Sequence, residues 1–344
     1  MERTLNEMIF LYQLSEDLYK GTTLRRVLLS EVNLNTFIDL SMKNNMFYYH
    51  SKKILDSYTE GLNKETTNAI RDIINKGNYE FKKIGNSILL LNDIVGDYLL
   101  IKTYRGYPRI PNDLDVLVSN FDGALEIITK KGFKIAHMSS KRRDAQLISK
   151  DFYKIHLHSV IHWVDSEFMD NGFIFNNPRL IEFGGARAKI PNFDADFLIH
   201  MAHINFEPLH ITLSELLYIY IIFPQVNRDI VLGQSQKYSW RGALMDTLEI
   251  MDKIYHTVYN AEPCPFISFN FRHIAFKKPE SIILPMSLPR AHLIRTCIEK
   301  KLFKQALSKA SKSLKILLSG DSYSGYYFPV EEYAILSKNS LIKD

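Results

Sequence analysis

Two carboxylates separated by one residue, Asp113 and Asp115, are the sharpest chemical feature of the chain. On a strand, alternation would put both on one face with their backbones about 6 to 7 Å apart, within reach of the same cations. Hard divalent ions take oxygen ligands of this kind, and Mg2+ commonly combines one or two protein carboxylates with substrate phosphates. The tripeptide also fits a plainer role, with Asp113 capping a turn and Asp115 on a solvated face. Histidines form a second constellation: His156 and His158 would share a strand face, His162 follows closely, and His200 and His203 would share a helix face. A transition-metal cage of these imidazoles lacks a carboxylate or cysteine at a familiar ligand spacing, which favours packing and hydrogen-bonding roles for them.

These residues need elements to hold them. Residues 98–101 form a short apolar run that suits a buried strand, and the following YRGYPRIPN, with Gly106, Pro108 and Pro111, must be a loop. DLDVLV, residues 113–118, alternates and then turns fully apolar, as a strand entering a core does. A helix over 122–131 closed by Gly132, an extended segment from Phe133 and a β-rich region over 145–175 come next. Gly184 and Gly185 mark a turn, and Asp194 is the expected N-cap of the helix FLIHMAHINF. Ahead of the first strand, apolar residues at three and four spacing predict helices, with breaks near Gly21, Gly61 and Gly77. The resulting division is a helical region over 1–83, an α/β core over 84–190 and a C-terminal helical domain over 191–344.

Composition bounds what such a chain can be. Of 344 residues 46% are hydrophobic and 12% aromatic, with only 15 Gly and 12 Pro, which excludes a disordered or fibrous protein. No apolar run approaches a membrane span and the first residues do not read as a signal peptide, so a cytoplasmic protein with no membrane partner is expected. Two cysteines, Cys264 and Cys297, support neither a disulfide framework nor a thiolate cage. The net charge of +5 is mild, but residues 288–318 hold eight cations against Glu299 alone. Within that segment Phe303, Leu307, Ala310, Leu314 and Leu318 fall on one helical stripe, and Lys301, Lys304, Lys309 and Lys312 lie opposite. Such a face suits a phosphate backbone, and equally a solvated surface.

The run Leu99-Leu100-Ile101-Lys102, a loop carrying Arg109, and Asp113-Leu114-Asp115-Val116-Leu117-Val118 together resemble the nucleotidyltransferase superfamily that includes DNA polymerase beta. More narrowly, they are similar to an uncharacterised bacterial and archaeal nucleotidyltransferase family with the pattern apolar strand, Lys-Gly, loop with Arg, Asp-x-Asp and apolar tail. Gly132-Phe133, His162-Trp163 and the helix with His203 extend the likeness over about residues 37–220. The resemblance implies an α+β fold, a small mixed sheet flanked by helices with helical N- and C-terminal regions. It implies Asp113 and Asp115 as catalytic ligands of Mg2+ (or Mn2+), and transfer of a nucleoside monophosphate from an NTP to an acceptor hydroxyl with release of pyrophosphate. Lys102 and Arg109 would meet the nucleotide phosphates, although a loop salt bridge from Arg109 to Asp113 or Asp115 is an equal reading. Given such a core, Lys301, Lys304, Lys309 and Lys312 would track an RNA or tRNA acceptor; a protein side chain or a small hydroxylated molecule is the other option.

The chain departs from the pattern twice. Thr103 stands where the family has glycine, in the nucleotide-binding turn, and a β-branched residue prevents the close backbone approach glycine permits. His156 stands at the position of the third catalytic carboxylate, with Asp151 and Asp165 as the candidate substitutes. These departures support an alternative: a catalytically degenerate module of the same fold that binds nucleic acid or protein.

Overall fold

Apolar alternation builds a central sheet. In the computed structural model, which describes residues 5–19, 22–23, 27–58, 62–139, 143–163, 166–206 and 212–260, that sheet has five strands. They are β1 (Tyr98–Leu100), β2 (Leu114–Val118), β3 (Lys134–Ser139), β4 (Asp144–Ile148) and β5 (Ile155–His158). Their spatial order is β1-β2-β5-β4-β3. β1 is antiparallel to β2, β2 is parallel to β5, and β5, β4 and β3 continue antiparallel. The protein is thus α+β, with a small mixed sheet flanked by helices.

Alternate residues Tyr98, Leu100, Leu114, Val116, Val118, Ala145, Leu147, Ile155 and Leu157 join one buried cluster. Ile84, Ile88 and Leu91 of the helix Lys64–Ile94 and Phe121, Ala124 and Ile128 of the helix Phe121–Lys130 pack into the same cluster. Asn63 starts the first of these helices by accepting from the Thr66 N–H at 2.8 Å, and Asn120 starts the second by accepting from the Gly123 N–H at 3.1 Å. The long helix runs unbroken through Gly77, where the sequence suggests a break. Gly77 serves packing instead: a Cβ there would lie 2.3 Å from the Tyr48 ring. Gly85, on the same helix, lets it approach the hairpin formed by Arg179–Phe183 and Ala186–Ile190, since a Cβ would lie 2.0 Å from the Gly184 carbonyl oxygen. That hairpin turns at Gly184 and Gly185, with φ of +63° and +79°, as the sequence predicts.

The described residues divide into two units. The larger, Leu28–Ile199, contains the sheet and therefore all of residues 84–190. The smaller gathers the described residues up to Val27 with those from His200 onward. It includes the helices Leu5–Gln13, Leu213–Ile222, Arg228–Lys237 and Arg241–Val258, buries Trp240, and ties Tyr220 Oη to the Met251 carbonyl at 2.8 Å. The division falls inside the helix Phe193–Phe206, which Asn192 caps by accepting from the Ala195 N–H at 3.0 Å; Asp194, the expected cap, lies already within the first turn. Among the described residues no helix is long and apolar enough to cross a membrane. Lys301, Lys304, Lys309 and Lys312 lie outside the described residues.

Candidate metal centre

The strand that carries Asp115 is fixed by an unusual junction. The Ile101 N–H donates to the Asp115 carbonyl at 2.9 Å, after which Lys102 takes a left-handed conformation with φ of +56°. A non-glycine residue there costs about 1 to 2 kcal/mol. The next residue compensates: Thr103 Oγ1 accepts from the Asp115 N–H at 3.0 Å and donates to the Ile101 carbonyl at 3.0 Å. The Asp115 peptide is therefore held from both sides. Lys102, turned back by its backbone, places Nζ 3.5 Å from Asp115 Oδ1. Thr103, in the turn where the family resemblance places nucleotide binding, is buried and its hydroxyl is committed to this backbone work.

Strand register supplies the rest. In the parallel pair Asp115 stands beside His156 and Leu117 beside His158; in the antiparallel pair His158 stands opposite Asp144. Asp115, His156, His158 and Asp144 thus share the sheet face opposite the apolar cluster. His158 Nε2 lies 2.8 Å and His156 Nδ1 3.4 Å from the same Asp115 Oδ1, and the two imidazole centroids are 4.0 Å apart. The other nitrogen of His156, Nε2, is turned toward Asp144 Oδ1 at 3.9 Å. Among the described residues, Asp115, His156 and His158 are the one group whose ligand atoms all lie close enough together to hold a metal ion.

Asp113 falls one residue before β2 and outside that group. Its Oδ2 lies 3.3 Å from Lys154 Nζ instead. Arg109 stands in this neighbourhood too: the hydroxyl of Tyr153 donates to the Pro111 carbonyl, and burial, then the charges of Glu80 and Asp113, push its ionisation up while the Arg109 guanidinium opposes them. Asp151 is exposed on the loop before β5 with its N–H bonded to Ser149 Oγ, and Asp165 lies outside the described residues. The second carboxylate near His156, after Asp115, is Asp144. The sequence offers a signal for it, since Asp144-Ala-Gln-Leu alternates polar and apolar residues and extends the β-rich pattern of residues 145–175 by one position. Among the described residues His162 Nδ1 lies 3.4 Å from the Val160 carbonyl oxygen, and His200 and His203 belong to the other unit, where His203 Nε2 lies 3.5 Å from Glu215 Oε1.

Electrostatics follow the geometry. Burial pushes the Asp115 carboxyl up, but the Lys102 ammonium and the hydrogen bonds from His156 and His158 together hold it well below the usual range. Burial also pushes the His158 imidazole down, against the attraction of Asp115 and with help from Lys102 and His156, so the ring is neutral at pH 7. The arrangement is one ionised carboxylate that accepts from two imidazoles and faces one ammonium. A cation that replaced those N–H protons, with each ring carrying its proton on the nitrogen turned away, would meet one carboxylate oxygen and two imidazole nitrogens, a donor set that suits a borderline transition ion better than Mg2+. Comparison of the chain with protein families, curated proteins and solved structures gives no match.

Proposed function

We propose that the protein is a metal-dependent nucleotidyltransferase that moves a nucleoside monophosphate from an NTP to an acceptor hydroxyl. The observation that carries this reading is the convergence of Asp115, His156 and Lys102 from three segments that pair as neighbours: the end of β1, β2 and the parallel β5. It matches the order in which the resembled family brings its strand lysine, its Asp-x-Asp and its third ligand together.

In this reading Asp115 and the imidazoles hold a divalent ion, which would neutralise triphosphate charge and acidify the acceptor hydroxyl. Lys102, displaced from Asp115, is the cation nearest to the phosphates and pairs with them as a point charge. The acceptor oxygen attacks the α-phosphorus in line, the bond to the β-phosphate oxygen breaks, pyrophosphate leaves and the hydroxyl proton passes to solvent. RNA is the acceptor to try first.

The experiment is incubation of the full chain with each labelled NTP, Mg2+ or Mn2+, and bulk RNA, beside Asp115→Ala. Label transfer lost in Asp115→Ala is expected. Transfer that persists in that variant would overturn the site.

A second reading, a non-catalytic nucleic-acid-binding module on the same scaffold, is favoured by one observation: the Asp115 carboxylate already faces an ammonium and two imidazoles. It predicts no transfer under any condition, with RNA affinity that falls steeply as salt rises.

A further inference from the structure

We infer that Asp115 Oδ1, His156 Nδ1 and His158 Nε2 form a binding site for a transition-metal dication of the Zn2+, Co2+ or Mn2+ class, with Lys102 as its built-in competitor. This deepens the preceding reading by naming its ion, and rests on that reading only for the use to which the ion is put.

Three features of the site carry it. First, the spacing is compatible with one ion: the three ligand atoms all lie within 4.8 Å of one another. Ligands at about 2.1 Å from a metal lie about 3.4 Å apart in a tetrahedron and about 3.0 Å apart in an octahedron. The Asp115–His156 atoms are 3.4 Å apart, and the Asp115–His158 atoms, at 2.8 Å, need to open by only a few tenths of an ångström. Second, the His156 ring is oriented as a metal-ligating imidazole is: one nitrogen faces the shared centre while the other points at a carboxylate, Asp144, on the adjacent strand. At 3.9 Å that carboxylate is short of a hydrogen bond; closing by about an ångström would let it accept the Nε2–H and hold the ring as outer carboxylates hold ligating histidines. Third, the ligands rest on paired strands rather than loops, and β2 is locked at Asp115 by Ile101 and Thr103.

The donor set then decides the ion. Mg2+ demands six oxygens or nearly so and sheds water reluctantly, so two nitrogens in three protein ligands discriminate against it. Zn2+ and Co2+ take nitrogen and carboxylate together, with Mn2+ weaker in the usual order of affinities. Because the Lys102 ammonium lies 3.5 Å from the same carboxylate oxygen, an entering dication must displace it. Removal of that ammonium strengthens metal binding, an effect opposite to that of removing a ligand.

The test is metal titration of the chelator-treated full chain, with the visible spectrum of Co2+ and competition by Zn2+ as readouts. One Co2+ is expected to bind with an intense visible band, displaced by Zn2+ and indifferent to millimolar Mg2+. His156→Gln and His158→Gln are expected to weaken that binding by about 100-fold or more, and Asp144→Asn by about 10-fold. Lys102→Met is expected to tighten it, a gain that misfolding cannot imitate. Binding unchanged in both histidine variants, or Mg2+ competing as well as Zn2+, would overturn the inference, as would a Lys102→Met protein that binds more weakly. Transfer supported by Mg2+ and intact in His156→Gln would overturn the ion assignment while leaving the transferase reading standing. Co2+ capture as described in a protein that transfers no nucleotide supports the assignment and removes that reading.

Discussion

Along β2 and β5, Leu114, Val116 and Leu157 turn to one side of the sheet and are fully buried. Asp115, His156 and His158 turn to the other, where their side chains keep 13%, 22% and 11% of their surface exposed. The two faces share every strand and every backbone hydrogen bond, so the difference between them is purely one of side chains. The apolar face draws on burial, worth about 1.5 to 3 kcal/mol per large side chain, and fixes which strands pair. The other face takes charged and polar groups out of water and recovers that cost through mutual pairing among Asp115, Lys102 and two imidazoles. One side of the sheet makes the fold; the other is where a cation and an anionic substrate would meet.

Substitutions can break or sharpen that contrast. The largest effect is expected from Leu157→Asp, which buries an unpaired carboxylate in the apolar cluster and at several kcal/mol should unfold the larger unit; a circular-dichroism melt reads it directly. Asp115→Ala should leave the apolar face intact and remove nucleotidyl transfer by about a thousandfold, roughly 4 kcal/mol of transition-state stabilisation, measured as label incorporated per minute. If the fold failed before the activity did, the separation of roles drawn here would be wrong. Thr103→Val keeps the shape but strips the Asp115 N–H of its acceptor, and should cost about 1 to 3 kcal/mol in denaturant unfolding. Asp113→Asn is expected to have the smallest effect, below about 1 kcal/mol, because Lys154 is more than a third exposed and its pair with Asp113 is solvent-screened. A transfer rate that falls as far in Asp113→Asn as in Asp115→Ala would return Asp113 to the centre.

Acid should separate the faces again. The folded protein holds the Asp115 carboxyl below its ordinary 3.8 and the His158 imidazole below its ordinary 6.5. Both groups therefore resist protonation more when folded than when unfolded. Their contribution is complete above pH 6.5 and declines as pH falls, first through the histidine and then through the aspartate, with a slope of at most about 1.4 kcal/mol per pH unit for each group. Denaturant midpoints of the chelator-treated protein between pH 7 and pH 3 measure it, and His158→Gln should flatten the upper part of the curve.

Much of the scaffold was legible from local pattern. The loop with Pro108 and Pro111, the strand that ends in Val118, the helix before Gly132 and the turn at Gly184 all follow from backbone preference and alternation, which act between near neighbours. Gly77 misleads because a helical glycine looks the same from the sequence whether it breaks a helix or admits the ring of Tyr48. The site was half legible. Asp115, His156 and Lys102 are among the residues the family resemblance points to, whereas Asp113, which the same resemblance pairs with Asp115, lies beside Lys154, and Asp144 falls just outside the extended segment legible in the sequence.

By itself, the sequence determined which residues alternate on each strand, and hence that polar groups in the 113–118 and 155–158 segments would line a common kind of face. Only the tertiary structure decided which of them meet. Register between β2 and β5, set by packing of the apolar face across some forty residues of intervening chain, puts Asp115 beside His156; the β4–β5 pairing puts Asp144 opposite His158, and the ends of β1 and β2 deliver Lys102 and divert Asp113 to Lys154. Alternation is a property of one strand's backbone, but proximity is a property of the pairing between strands, and pairing is chosen by the core rather than by the residues of the site.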